Sequence, residues 1–213
     1  NAMRGFLVAT FLDPFRDGLL ALPWICVAAA LGLLGWQLSG WRLALMGAGL
    51  AIFVAITGLW TKMGLSIYEC GTAVLICGML GFPLGIWAAR NDRVWRIVEP
   101  LADLLQTIPS FIFLIPFVIL FRTGEFTAIL IVVTFAIVPA IRYTAEGIRN
   151  VPSHLVEAAR MQGCSDWQIL REVQLPLAFP SILLGLNQTI LMALSMLVIT
   201  AYAGTNDLGQ DTL

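Results

Sequence analysis

Two consecutive stretches, Gly18–Gln37 and Leu43–Trp60, carry no charged residue and are separated only by the short turn Leu38-Ser39-Gly40-Trp41-Arg42. A water-soluble fold of this size has no core deep enough for both. A helix that crosses the hydrocarbon core of a bilayer needs about 20 apolar residues. Four further stretches meet or approach that requirement: Cys70–Ala89, Leu104–Phe121, Phe126–Ile141 and Phe179–Tyr202. The fourth should be kinked by Pro109 and Pro116, and the fifth is short unless it extends into Arg142–Glu146. Lipid cannot satisfy the edge hydrogen bonds of an open sheet. The expected fold is therefore an all-α polytopic membrane protein with about six transmembrane helices. The 19 glycines suit the close helix contact that lipid demands.

Composition agrees. Of 213 residues, 59% are hydrophobic and 12% charged, against about 25% charged in soluble domains. A net charge of −1 leaves no basic stripe for nucleic acid, so no nucleic-acid partner is expected. The cysteines Cys26, Cys70, Cys77 and Cys164 lack C-x-x-C spacing, and there is one histidine. Packing within membrane helices is the expected role of the first three, and no metal site is expected. Asn1-Ala2-Met3 reads as a cleavage scar before a start codon and is excluded from fold reasoning. No cleavable leader is expected, because the first apolar stretch lies behind Asp13, Arg16 and Asp17.

The positive residues orient the chain. Placing Val151–Pro176 in the cytoplasm groups Arg42, Arg90, Arg93, Arg96, Arg142, Arg149, Arg160 and Arg171 there, against Arg4, Arg16, Lys62 and Arg122 outside. The N-terminus then lies outside. Val151–Leu175, the longest polar interval, carries helix signals. Ser153 can cap a first helix through Val156–Gln162, and Gly163 suits the left-handed position that ends one. Ser165 and Gln168 have capping-box spacing for a second. The pattern is a helix–glycine–helix element on the cytoplasmic face; an amphipathic hairpin resting on lipid has the same pattern.

The residues of that interval carry more. Glu157-Ala158-Ala159, three residues, Gly163, nine residues, then Val173, Leu175 and Pro176 resembles the EAA loop of binding-protein-dependent ABC importer permeases, with Val173 replacing the usual isoleucine. Pro83-Leu84-Gly85-Ile86-Trp87-Ala88-Ala89-Arg90, Gln106-Thr107-Ile108-Pro109-Ser110, Gln174-Leu175-Pro176-Leu177-Ala178, Leu186-Asn187-Gln188-Thr189 and Ala193-Leu194-Ser195-Met196 are similar to the glycine betaine/proline branch. The resemblance covers roughly Ser66 to Gln210. It implies the type I ABC importer permease fold over residues 67–213, preceded by a segment, 4–66, with two membrane helices. Members usually continue past Leu208-Gly209-Gln210 with a further helix, whereas this sequence reaches Leu213, so it is expected to lack that final helix.

The resemblance also implies partners: cytoplasmic ABC ATPase subunits, an extracytoplasmic solute-binding protein, a second copy in a homodimer, and the lipid of a bacterial inner membrane. Glu157, Ala158, Ala159 and Gly163 would be the coupling residues docked on the ATPase, within the 152–176 loop. Ala158 and Ala159 permit close approach, and Glu157 either pairs with a basic partner or caps its own helix. The implied cargo is a compatible solute of the glycine betaine or proline type, with choline, carnitine or an amino acid as alternatives, and a stand-alone channel or carrier as another.

ATP and magnesium belong to the partner, and no cofactor is expected here. A P-loop needs a lysine after its glycine-rich turn, and the only lysine, Lys62, lies in Gly58-Leu59-Trp60-Thr61-Lys62-Met63. No G-x-S-x-G, H-E-x-x-H or paired-carboxylate motif suggests an enzyme. For the translocation path, Gln188, Ser195 and Tyr202 recur every seven residues and so share a helix face. Gln106 and Ser110, with Thr107 beside Pro109, form a second candidate lining. Such polar groups face either a pathway or neighbouring helices. Phe111, Phe113, Phe117 and Tyr143 are candidate cation–π partners for a quaternary ammonium, or ordinary lipid-facing and core aromatics.

Overall fold

The computed structural model describes residues 12–21 and 23–203. Asn1-Ala2-Met3, Arg4 and the Leu208-Gly209-Gln210 region lie outside the described residues. The elements are helical: α1 Asp13–Leu20, α2 Trp24–Ser39, α3 Trp41–Ile56, α4 Trp60–Arg90, α5 Asp92–Thr107, α6 Phe111–Phe121, α7 Glu125–Arg149, α8 Ser153–Met161 and α9 Asp166–Thr200. A single 3-10 turn, Ala201–Ala203, follows.

Among the described residues, α4, α7 and α9 are each long and apolar enough to cross a membrane, and counting two bent pairs as single spans raises the number to five. The pairs are Pro14–Leu20 with Trp24–Leu38 and α5 with α6. The first expected span, Gly18–Gln37, is broken, with Gly18–Leu20 in α1 and Trp24 onward in α2, bent 80° from it. Helices α2 and α3, the latter over most of the second expected span, have 16 residues each. At 1.5 Å per residue each is only about 24 Å long. The pair packs mainly on itself, and only α3 touches α4 to any extent. Its outer faces, including Trp36, Met46, Leu50 and Ile56, are exposed, as lipid-facing surfaces are. The division expected between residues 66 and 67 falls within α4.

Two of the later stretches differ from the expected spans, and a third takes the longer of its two expected lengths. The fourth stretch, Leu104–Phe121, is not one kinked helix: it is broken, and α5 and α6 meet at 99°. Pro109 forces the residue before it out of the helical region, and Ile108 is extended at ψ 128°. Pro116 stays inside α6. The fifth stretch does extend beyond Ile141, giving a helix of 25 residues to Arg149. The last helix starts well before Phe179. It begins at Asp166 and runs 35 residues, with a π-helical segment over Ile169–Gln174. Pro176 and Pro180 follow within two turns, and neither can donate a helical N–H.

The core is α7 clasped between α4 and α9. Cys70, Ala73 and Cys77 of α4 meet Val132 and Ala136 of α7 and Ala193, Met196 and Leu197 of α9. Small residues set the spacing. A Cβ on Gly81 would lie 2.8 Å from the Ala140 Cβ, and one on Gly85 2.7 Å from both the Ile141 carbonyl oxygen and the Thr144 Cβ. Across α7, a Cβ on Gly185 would lie 2.8 Å from the Tyr143 Cβ, and one on Gly147 2.7 Å from the Ser181 Cβ. Polar residues also mark the two ends of this bundle. Arg16 pairs with Glu125 at 3.2 Å at the start of α7, while Arg90, Arg149 and Arg160 line one cavity near its other end.

Because a backbone oxygen and a β-branched Cβ cannot yield, Gly85→Ala must push α4 away from α7. The expected cost is about 1–3 kcal/mol, seen as a lower thermal midpoint in detergent. Gly71→Ala, where nothing lies within 4 Å, should leave the midpoint unchanged or raise it.

Candidate functional site

Two polar features stand out from the apolar bundle. The first is the link between α7 and α9. Helix α8 begins at Ser153 with Pro152 as its N-cap, and no side chain caps it. Ser153 therefore does not play the capping role its sequence position suggested; it occupies the first helical turn. The C-terminus is closed as a Schellman motif. Gly163 donates to the Arg160 carbonyl at 2.9 Å, and Cys164 donates to the Ala159 carbonyl at 3.2 Å. This requires the left-handed conformation, and Gly163 has φ 83°. The capping box also forms: Ser165 N–H donates to Gln168 Oε1 at 2.8 Å, and the Gln168 N–H donates to Ser165 Oγ at 3.4 Å. What it caps is the head of α9 rather than a separate second helix.

The coupling candidates sit together on this element. Glu157, Ala158 and Gly163 are exposed and Ala159 is half-buried. Leu155, Met161 and Trp167 are also exposed, Met161 at 90% and Trp167 at 62%. An amphipathic surface of this kind has an apolar face to cover. Behind it lies a cavity of about 540 Å³ whose wall includes Arg90, Asp92, Arg149, Glu157, Arg160 and Asp166. Arg149, the last residue of α7, knits the region together. It donates to Asp92 Oδ1 at 2.6 Å and to the Ala89 carbonyl at 3.3 Å at the end of α4, and its guanidinium lies 5.5 Å from the Trp95 ring centroid. No sequence signal singled it out beyond its sign of charge.

The second feature is a smaller cavity of about 390 Å³ lined by Gln106, Pro139, Arg142, Tyr143, Glu146, Gln188 and Met192. It brings Gln106 of α5 and Gln188 of α9 together across α7. The other pathway candidates are elsewhere. Ser110 is half-buried at the α5–α6 break and is not in that wall. Ser195 is exposed and donates to the Leu191 carbonyl of its own helix at 2.9 Å. Tyr202 stacks edge-on against Phe111 with centroids 5.7 Å apart. Thr107 and Thr189 likewise bond their own helices, to the Leu104 carbonyl at 3.0 Å and the Gly185 carbonyl at 2.9 Å. A seven-residue recurrence put Gln188, Ser195 and Tyr202 on one face, but only its first member reaches the cavity. Of the aromatic candidates, Tyr143 lines it, whereas Phe117 packs on Ala128 and Ile131.

The sequence reading passed over Arg142 and Glu146 as wall residues. Their signal is the spacing Pro139, Arg142, Tyr143, Glu146, which is one face of a helix. It is hidden because the apolar run stops at Ile141 and leaves the extension into Arg142–Glu146 open. Arg142 bonds Asp103 at 2.6 Å and approaches Glu146 at 3.4 Å.

Comparison with known proteins places these features in a family. Residues 81–213 match the family described as binding-protein-dependent transport system inner membrane component. The glycine betaine/proline betaine transport system permease protein ProW of Escherichia coli K12 is 40% identical over 207 residues, 95% of this chain and 57% of that protein. The trimethylamine N-oxide transport system permease protein TmoV of Ruegeria pomeroyi is 39% identical over 99% of this chain and 32% of that protein. The glycine betaine transport system permease protein OpuAB of Bacillus subtilis 168 is 38% identical, with 96% and 72% covered. The chain thus spans little more than half of ProW and a third of TmoV. A chain of the inward-facing MetNI methionine ABC transporter has the same fold at a TM-score of 0.64 and 21% identity, over 75% of this chain and 79% of that one. The glycine-packed α4–α7–α9 bundle, its Gly163-closed loop and the family match lead to one conclusion: this chain belongs to the binding-protein-dependent transport system inner membrane components, with the type I importer permease fold.

Proposed function

We propose that the chain is the permease subunit of an ATP-driven importer of a compatible solute, and that α8 with the head of α9 is where it meets a separate ATPase. The observation that carries this reading is the exposed, rigidly closed loop. Ala158 and Gly163 present a surface without bulk, Glu157 supplies a carboxylate, and Leu155, Met161 and Trp167 supply apolar area to cover. The relatives named as permeases of glycine betaine, proline betaine, trimethylamine N-oxide and, over 70% of this chain, carnitine systems support a small zwitterionic or dipolar cargo. The family description supports delivery by a separate binding protein. A homodimer around one pathway accounts for a site whose walls come from only three helices.

The mechanics follow from the connections. The loop joins α7 to α9 directly, and both are packed too closely to bend independently. When an ATPase dimer closes and moves α8, the two helices move as rigid struts. Arg149 extends the same motion to the end of α4 and the start of α5, through the Ala89 carbonyl and Asp92.

Co-purification with the cognate ATPase tests the contact, using the full-length permease. Wild type should retain the ATPase, Glu157→Ala should retain less, and Gly163→Asp should release it. A folded wild type that never retains an ATPase favours the stand-alone carrier instead. Gly163→Ala separates geometry from chemistry. It meets no atom within 4 Å, but a Cβ in the left-handed region costs about 1–2 kcal/mol. Amide exchange at residues 163 and 164 should quicken several-fold, more than at the core amides of α7, with at most a small fall in the thermal midpoint.

A further inference from the structure

The cavity between α5, α7 and α9 is walled by one arginine, Arg142, and one carboxylate, Glu146, and Asp103, which is not part of that wall, shares the arginine. Arg142 is held by Asp103 through Nη2 at 2.6 Å, whereas Glu146 lies 3.4 Å from Nε. One guanidinium faces two carboxylates, and its closer bond is to Asp103. Glu146 is the carboxylate left with charge to spare. Beside it on α7, Tyr143 contributes an aromatic ring to the wall, and its Cβ is held in place by the close approach of Gly185. Gln106 and Gln188 reach the same space from the two other helices. Each brings amide N–H donors without a formal charge.

We propose that this cleft is a transit site for a zwitterion whose positive pole is a fully substituted nitrogen. Such a nitrogen has no N–H to donate and is held by an aromatic face and a nearby negative charge. Tyr143 and Glu146 supply both. The anionic oxygen of the same solute takes amide N–H donors from Gln106 and Gln188. The volume of about 390 Å³ is at the lower end of the range for small-ligand pockets, about 300–1,000 Å³. A single ring in the wall, rather than an enclosing cage, makes for weak holding, which conduction requires: a solute must enter and also leave. The inference rests on the permease reading.

The test is ATP-driven uptake of labelled glycine betaine into proteoliposomes containing the full-length permease, its ATPase and its binding protein. Tyr143→Leu and Glu146→Gln should each lower uptake about tenfold, the worth of one cation–π or charge contact, while still co-purifying with the ATPase. Tyr143→Phe should recover most of the flux lost in Tyr143→Leu. Gln106→Ala alters a half-buried side chain away from the Gly185 contact, so it repeats the test if Tyr143→Leu fails to assemble, and it too should lower uptake. Assembled Glu146→Gln and Gln106→Ala complexes that both transport within about twofold of wild type, less than the loss of one such contact, overturn the transit site and leave the permease reading intact. A wild-type complex that takes up no glycine betaine on ATP addition overturns the permease reading itself.

Discussion

In lipid, burying an apolar side chain between helices gains little over leaving it against acyl chains. What remains is contact distance, and here four glycines set it. Gly81 and Gly85 let α4 lie against Ala140, Ile141 and Thr144; Gly147 and Gly185 bring α9 onto the other side of α7 at Ser181 and Tyr143. Dispersion between close-packed backbones is short-ranged, so the bundle depends on these points far more than on the abundance of leucine around it. The large apolar side chains that a soluble protein would hide, such as Leu75, Met79 and Leu80 on α4, face outward instead.

The same clasp positions both polar features. α7 ends in Arg149 and Pro152 introduces α8, so the loop is carried on the helix that is most tightly held. One or two turns back along α7, Arg142, Tyr143 and Glu146 line a cavity with Gln188 and Met192 of α9, beside the close approach at Gly185. Loop and cleft thus lie within about two turns of each other on one continuous helix. A displacement at the loop reaches the cleft without passing through any flexible segment, since α7 is unbroken from Glu125 to Arg149.

Much of this was legible in residue order. Charge-free runs disclosed the helices, and Gly163 and the Ser165–Gln168 pair disclosed the loop closure, because backbone conformation at such positions is decided locally. Features set by competition were not. Pro109 signalled a kink, yet the extended Ile108 makes a full break. Ser153 had the chemistry of a cap, but Pro152 took the position. The helix that the Ser165–Gln168 pair announced was legible, but not that it runs on without a break into the last span, because polar residues before Leu175 interrupt the apolar run. The cleft was half legible: Gln106 and Gln188 were visible as polar residues in apolar surroundings, but nothing in the sequence says that α5, α7 and α9 wall one cavity, or that Ser195 and Tyr202 lie outside it.

The π-helical segment at Ile169–Gln174 has a further consequence, for how related chains line up. A π turn accommodates about one residue more than an α turn, and one residue is about 100° of rotation. The face of α9 that carries Gly185, Gln188 and Met192 is therefore out of phase with the face projected from Asp166 and Gln168. A relative lacking one residue in this short window would present the same face to α7 with an ordinary α-helix, whereas a deletion elsewhere in α9 would swing every wall residue beyond it away from the cleft. Length variation among homologues in this helix should accordingly gather at 169–174.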